Sequence, residues 1–389
     1  MSQLGDRLPA WSSKAAAFTL IAFAIVFPLF FNQASGWVDD MTIALAYVVM
    51  ALGLNVVVGY AGLLDLGYVA FFAIGAYCTG WFASSFYSDK DLHFLTSKFG
   101  ENAPLGIHMN WLIVVVIAVI FCGIAGMIIG LPTLRLRGDY IAIVTLAFGE
   151  IVRVFALNGD TVKVFGFVPF FGGEKLTNGN QGISPIDGIA FIPGSTPFNP
   201  LNLRPWYWTA LGMVLIVLFV NIRLRESRLG RAWIALREDE VAAASMGIPL
   251  VKTKLMAYAT GAAFGGISGA FLGSYYNTVS ADQFAFSFSI FILAMIILGG
   301  LGSVWGVVIG SISLSLINYR LIPDVLNGVP GKVGLDFNLT DLNFGIFGFL
   351  LVIMMVLRPE GLLPEKRRKL ELTEGIGAGD AIDVEVVQP

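Results

Sequence analysis

The sequence predicts an all-α, polytopic integral membrane protein, a bundle of about ten transmembrane helices with both termini on the cytoplasmic side. Three observations lead there. Hydrophobic residues make up 56% of the 389-residue chain and charged residues only 13%, whereas an average soluble domain is about 25% charged. Apolar runs long enough to cross a hydrocarbon core of about 30 Å follow one another too closely for separate soluble cores. Arginine and lysine concentrate in alternate connections. Helices are the expected form, because a helix satisfies its own backbone groups in lipid.

The candidate spans are Lys14–Phe31, Met41–Tyr60, Leu63–Ser85, Asn110–Leu131, Tyr140–Leu157, Trp206–Ile222, Lys254–Tyr276, Phe286–Gly300, Val304–Tyr319 and Leu342–Leu357. Lys14 and Arg7 stand before or at the start of the first, which lacks a small-residue cleavage site and reads as an uncleaved anchor. In the second and third, Asn55 and Asp65 flank Gly59, Gly62 and Gly67. Two readings stay open for that junction: a helix break capped by Asp65, or broken helices lining a path.

The fourth span carries Gly126 and Gly130 and is followed by Arg135 and Arg137. In the fifth, Glu150 and Arg153 lie three residues apart and so share a helix face. Ionisable groups at that depth are costly unless paired or wetted, so the pair is either a packing device or a gating or translocation element. The sixth span is followed by Arg223, Arg225, Arg228, Arg231 and Arg237. In the seventh, Gly261, Gly265, Gly269 and Gly273 recur every four residues, and Gly302, Gly306 and Gly310 repeat the spacing near the ninth. Such a stripe lets a neighbouring backbone approach closely. Gly299, Gly300 and Gly302 make either a tight turn between spans or a re-entrant hairpin.

Lys366, Arg367, Arg368 and Lys369 follow the last span. With about ten spans, these basic clusters share one side, which the positive-inside rule makes cytoplasmic. The opposite side receives Asn32–Asp40, Ser88–Met109, the long loop 158–205 and Leu321–Asp341. The permease unit covers 1–370, and the acidic tail 371–389 is expected to be disordered.

The cytoplasmic segment 226–249 is the most specific feature. From Ser227, LGRAWIALREDEVAAASMG is expected to form a short amphipathic helix, with Leu229, Trp233 and Leu236 at helical spacing and Gly247 and Pro249 as its stop. The run Glu238, Asp239, Glu240 argues against an anionic lipid surface and favours docking on a protein partner.

Several function classes are excluded or weakened. The net charge of −3 does not suit a strongly basic nucleic-acid binder. Cys78 and Cys122 lie in apolar runs and read as packing residues. His93 and His108 share one polar connection without ligand-spaced partners, so solvated loop histidines are expected and no metal site. There is no phosphate loop of the form G-x-x-x-x-G-K followed by Ser or Thr, no H-E-x-x-H helix and no G-x-S-x-G elbow. The chain is expected to be no enzyme, and any ATP would be bound by another chain.

These residues resemble a known family, the permeases of branched-chain amino acid ABC importers, and specifically its LivM-type subunits. The resemblance rests on ALGLNVVVGYAGLLDLGYVAFFAIGAY (Ala51–Tyr77), LPTLRLRGDYIAIVTLAFGEIVR (Leu131–Arg153), GRAWIALREDEVAAASMGI (Gly230–Ile248), ILGGLGSVWGVVIG (Ile297–Gly310) and LRPEGLLP (Leu357–Pro364), in family order. TNGNQGI (Thr177–Ile183) is similar to the family's external Asn/Gly-rich turn, without a proline often found there.

The resemblance implies a bacterial inner-membrane heterodimer with a LivH-type permease, two cytoplasmic ATPase subunits that bind ATP and Mg, and a periplasmic amino-acid-binding protein. It assigns Gly230–Gly247 to the segment that couples to the ATPase, with Arg231, Arg237, Glu238, Asp239, Glu240 and Gly247 as coupling residues. Asn55, Asp65, Glu150 and Arg153 are the candidates for the translocation path. The implied cargo is an aliphatic amino acid of the leucine, isoleucine and valine type, with urea, short amides or other hydrophobic amino acids as the alternative. An ion-coupled secondary transporter is the competing class, weakened by the scarcity of intramembrane carboxylates and the lack of an evident repeat of spans. A membrane enzyme comes third.

Overall fold

A computed structural model describes residues 19, 21–88, 91–96, 104–133, 136, 138–159, 175–326, 342–357 and 361–363. Arg7, Lys14, Arg135, Arg137, the basic run Lys366–Lys369, the tail 371–389 and parts of the two longest outer segments lie outside the described residues. Among the described residues six helices are long and apolar enough to cross a membrane: Gly36–Tyr60, Trp111–Thr133, Tyr140–Asn158, Arg204–Glu226, Leu250–Tyr276 and Val304–Asp324.

The chain enters through a short helical stretch, 21–26, and a tight turn, Phe27–Leu29. Helix α1 spans Gly36–Leu54 and continues in a wider turn, Asn55–Tyr60. It starts five residues earlier than expected, because the Ser35 hydroxyl caps it by accepting from Trp37 N at 3.4 Å. Helix α2 is only Val69–Phe82, so the span expected over Leu63–Ser85 is shorter. Gly62, at φ +69°, turns the chain out of α1, and the stretch up to Tyr68 is not helical. At about 1.5 Å per residue α2 is about 21 Å long, less than the hydrocarbon thickness.

Helices α3 (Trp111–Thr133), α4 (Asp139–Asn158) and α5 (Arg204–Glu226) follow. The segment 226–249 forms α6 (Arg228–Glu238) and α7 (Glu240–Ser245), and α8 (Leu250–Tyr276) returns through the bundle. Helix α9 (Phe286–Gly299) is, like α2, a short helix of 14 residues. Positive φ at Gly300 and Gly302 turns it directly into α10 (Val304–Leu316), which runs on into a wider turn, Ile317–Leu326. The last described helix is α11 (Asn343–Leu357).

Burial separates the helices into a core and a rim. Most of α1 and α8 is buried, whereas α3 and α4 present Val116, Ile120, Ile124, Ile128, Ile143 and Ile151 outward. An apolar rim around a better-packed centre is what lipid as solvent requires. The seam at the centre is built on the glycines of α8. A Cβ at Gly261 would lie 2.5 Å from Val57 Cγ2, and one at Gly269 would collide with the carbonyl of Phe72 and lie 2.8 Å from Ala76 N. Gly265 faces Phe71 and Tyr68, and Gly273 faces Thr79. On α10, Gly306 backs onto the Gly299 carbonyl and Gly310 onto that of Met295. Gly302 plays a different part, as a turn residue at φ +84°.

At the end opposite α6 and α7 stands a small sheet, a departure from the all-helical expectation. Its strands β1 (Ala83–Ser84), β2 (Asp91–Phe94) and β3 (Gly106–Met109) are ordered β1-β3-β2. It changes the reading of the two histidines. His108 is 1% exposed and binds Asp187 Oδ2 through Nδ1 at 2.5 Å, with the His93 ring stacked 5.1 Å away. They are structural, not solvated loop residues, since strand pairing sets His93 beside His108. Among the described residues no three His, Cys, Asp or Glu side chains gather as a metal site would. The Asn/Gly-rich turn is pinned by Thr177 Oγ1 donating to Ala156 O (2.6 Å) and Asn178 Nδ2 to Gly182 O (2.9 Å).

Candidate functional site

The segment 226–249 is two helices rather than the single one expected. Ser227 caps α6 by accepting from Gly230 N (3.2 Å), and Trp233 and Leu236 are buried beneath it. Trp233 Nε1 donates to Thr253 O on α8 at 2.9 Å, anchoring α6 to the bundle. Asp239 then breaks the helix. Its backbone is extended, and its carboxylate accepts from Val241 N (2.8 Å) and Ala242 N (3.0 Å), which starts α7. A short acidic side chain that captures the next turn's N–H groups competes with continuing the first helix.

The acidic run is therefore partly consumed within the chain. Asp239 is a cap, and Glu240 Oε1 binds the buried Lys254 Nζ at 2.7 Å. Glu238 is exposed, as are Val241 (67%) and Met246 (84%), so α7 projects an apolar, acid-flanked knob. Arg231 Nη1 donates to Glu226 O at 2.8 Å. Gly247, at φ +83°, closes α7 with nothing within 4 Å of where a Cβ would sit.

Arg237 points the other way, into the bundle. Its Nη1 donates to Gly59 O at 2.6 Å, and its side chain lies over Gly62. That carbonyl belongs to the wider turn of α1, in which Ala61 N reaches back five residues to Val56 O. A turn of this kind interrupts the normal ladder and is frequent at functional positions. In the same turn Asn55 is fully buried, and its Oδ1 accepts from Gly302 N at 2.9 Å, in the α9–α10 turn. Two bonds thus link α6, the end of α1 and the α9–α10 hairpin. Tyr60 OH extends the network to Asn221 on α5 at 2.7 Å, and Asn221 Nδ2 returns to Leu52 O.

Asp65 is buried but does not cap the helix that follows. It accepts from Gly67 N at 2.9 Å, closing a turn ahead of α2, whose N-cap position is Tyr68. Gly67 packs onto the Thr145 carbonyl of α4, where a side chain would collide. Thr145 Oγ1 also accepts from Leu66 N at 3.0 Å. Glu150 and Arg153, one to two turns along α4 from Thr145, bind each other at 2.8 Å, and both remain partly exposed. Asn55 and Asp65 thus flank one junction, while the Glu150–Arg153 pair stands apart on α4.

Sequence reasoning missed Gly59 as an acceptor, Lys254 as the partner of Glu240, and Asn221. Asn221, a polar residue inside the sixth apolar run, was the one available signal.

Comparison with known proteins gives the same picture over most of the chain. The family described as branched-chain amino acid transport system / permease component matches residues 38–356. The chain is 36% identical over 380 residues to the high-affinity branched-chain amino acid transport system permease protein LivM of Escherichia coli K12, covering 93% of this chain and 77% of that one. It is 26% identical over 336 residues to the probable branched-chain amino acid transport permease protein LivM of Methanocaldococcus jannaschii, covering 82% and 91%. Similarity extends to the permease protein LivH of Salmonella typhimurium LT2, 21% identical over 333 residues, covering 84% and 93%. No solved structure matches.

Proposed function

The chain belongs to the branched-chain amino acid transport permease family, and from that membership we infer that it is the membrane-spanning permease subunit of a branched-chain amino acid importer. The Arg237–Gly59 bond is the observation that supports a coupling role for the surface helices, since it ties α6 to an irregular turn inside the bundle.

In this reading the chain crosses the bacterial inner membrane about ten times, with both ends in the cytoplasm, and pairs with a LivH-type permease. Two ATPase subunits receive α6 and α7, with Glu238, Val241 and Met246 outermost. A periplasmic binding protein delivers the amino acid at the opposite end. ATP and Mg are held by the ATPase subunits. Arg231, Arg237, Asp239, Glu240 and Gly247 keep the two coupling helices in their shape. Asn55 and Asp65 fix the junction that must give way between inward- and outward-facing forms, and Glu150–Arg153 is a separate candidate for the path, on α4.

Nucleotide binding on the partners favours one form of the bundle only through contacts that differ between the two forms. The part-buried bond at Gly59 and the buried bond at Gly302 are two such contacts, and a buried group left without its partner costs about 1–3 kcal/mol. Uptake of labelled leucine in a strain deleted for this gene and for redundant transporters tests the assignment. Uptake falls on deletion and returns with the gene. Lost urea or amide uptake beside unchanged leucine, isoleucine and valine uptake refutes the cargo.

A further inference from the structure

The end of the molecule opposite α6 and α7 holds a cavity of about 740 Å³ that no part of the coupling network uses. It opens between the first turns of α1 and α5, the last turn of α8 and the segment that carries Ile186 and Pro197. The three helix ends come from residues 34–39, 203–206 and 274–277, far apart in sequence.

Its walls divide by chemistry. On one side Asp39 is half-buried and accepts a hydrogen bond from Tyr275 OH. The nearby guanidinium of Arg320 is engaged elsewhere, with Asp40 Oδ2 at 3.4 Å, Asp324 Oδ2 at 2.9 Å and the Trp37 ring 4.5 Å below it. Beside Asp39 stand the rings of Tyr275 and Trp206, edge to face with centroids 5.2 Å apart. Ser274 also lines the cavity. It is 2% exposed, and among the described residues its Oγ has no hydrogen-bond partner. Ser274 and Tyr275 sit in the last turn of α8, whose carbonyl-bearing end favours a cation, while Asp39 and Trp206 come from the first turns of α1 and α5. The other side is apolar, with Ile186 and Pro197.

We propose that this cavity is an amino-acid site of the permease itself, which takes the ammonium group of an aliphatic amino acid against Asp39, Tyr275, Trp206 and Ser274. A carboxylate, aromatic faces and an unfilled hydroxyl are what a primary ammonium needs when it leaves water. The aliphatic side chain lies on the Ile186 and Pro197 wall, and the carboxylate stays toward the open mouth. A basic side chain of a docking protein would use the carboxylate and the rings, but has no use for the apolar wall. The proposal rests on the importer reading and adds a place where this chain holds the cargo.

The test uses the intact complex without its binding protein, in nanodiscs, and measures binding of labelled leucine. Isoamylamine, which is leucine without its carboxylate, competes, and isocaproate, which lacks the ammonium, does not. Asp39→Asn raises the leucine concentration for half-saturation about tenfold or more, as loss of a charged partner should. Ala34→Trp, which fills the cavity from its exposed rim and leaves Asp39 in place, lowers the amount bound. If both variants assemble and bind leucine like the unaltered complex, the proposal is overturned. Failure of the importer reading is read separately, as absence of ATP-dependent leucine transport by the unaltered complex.

Discussion

Arg237 Nη1 donates a 2.6 Å hydrogen bond to the carbonyl of Gly59, so a side chain from α6 closes on the backbone of an irregular turn inside the bundle. The acceptor is available because the turn spends its N–H groups five residues back, as Ala61 does on Val56. Replacing Arg237 with Ala removes the bond and the packing over Gly62. The complex is expected to assemble, with solute-stimulated ATP hydrolysis falling several-fold in proteoliposomes. Arg237→Lys keeps a donor and is expected to lose less.

The Asn55 carbonyl oxygen holds Gly302 N at 2.9 Å inside a fully buried site. Asn55→Leu leaves that N–H unsatisfied, at a cost of about 1–3 kcal/mol. The expected result is a lower melting temperature of the purified complex together with reduced transport. A variant that melts like the parent would show that the α9–α10 turn does not depend on this bond.

Gly269 decides between two opposed effects. Alanine is favoured over glycine in a helix by about 1 kcal/mol, but a Cβ here would run into Phe72 O and Ala76 N. Overpacking against backbone costs about 1–3 kcal/mol, so the clash outweighs the propensity. Gly269→Ala is expected to destabilise the folded chain, whereas Gly212→Ala, which meets nothing within 4 Å, is not. Thermal unfolding in detergent separates them.

Gly247 tests backbone conformation rather than space. Nothing lies within 4 Å of its missing side chain, but its φ is +83°. Gly247→Asn, which tolerates that region, is expected to keep coupled ATP hydrolysis, and Gly247→Val to lose most of it while still inserting in the membrane. Equal activity of the two would remove the turn from the mechanism.

Much of this was legible in the sequence, for stated physical reasons. Apolar runs locate helices because lipid admits little else, and a four-residue glycine repeat marks α8 because close backbones exclude side chains. What escaped was set by contacts distant in sequence. The close approach ahead of α2 rests on Gly67 meeting Thr145, and His108 is bonded to Asp187, 79 positions away. The break at Asp239 is local, yet it was hidden by a run of good helix formers on both sides. Glu240 read as a docking charge until Lys254 appeared beside it.

The central claim is that this chain carries branched-chain amino acids only as part of an ATP-driven assembly. The most direct measurement is labelled leucine uptake into proteoliposomes that contain this chain and its LivH-type partner, with and without the ATPase subunits, in the presence of binding protein and ATP. Accumulation only when the ATPase subunits are present, and its loss with Arg237→Ala, is the expected result. Leucine accumulation of equal extent without any ATPase subunit would contradict the account.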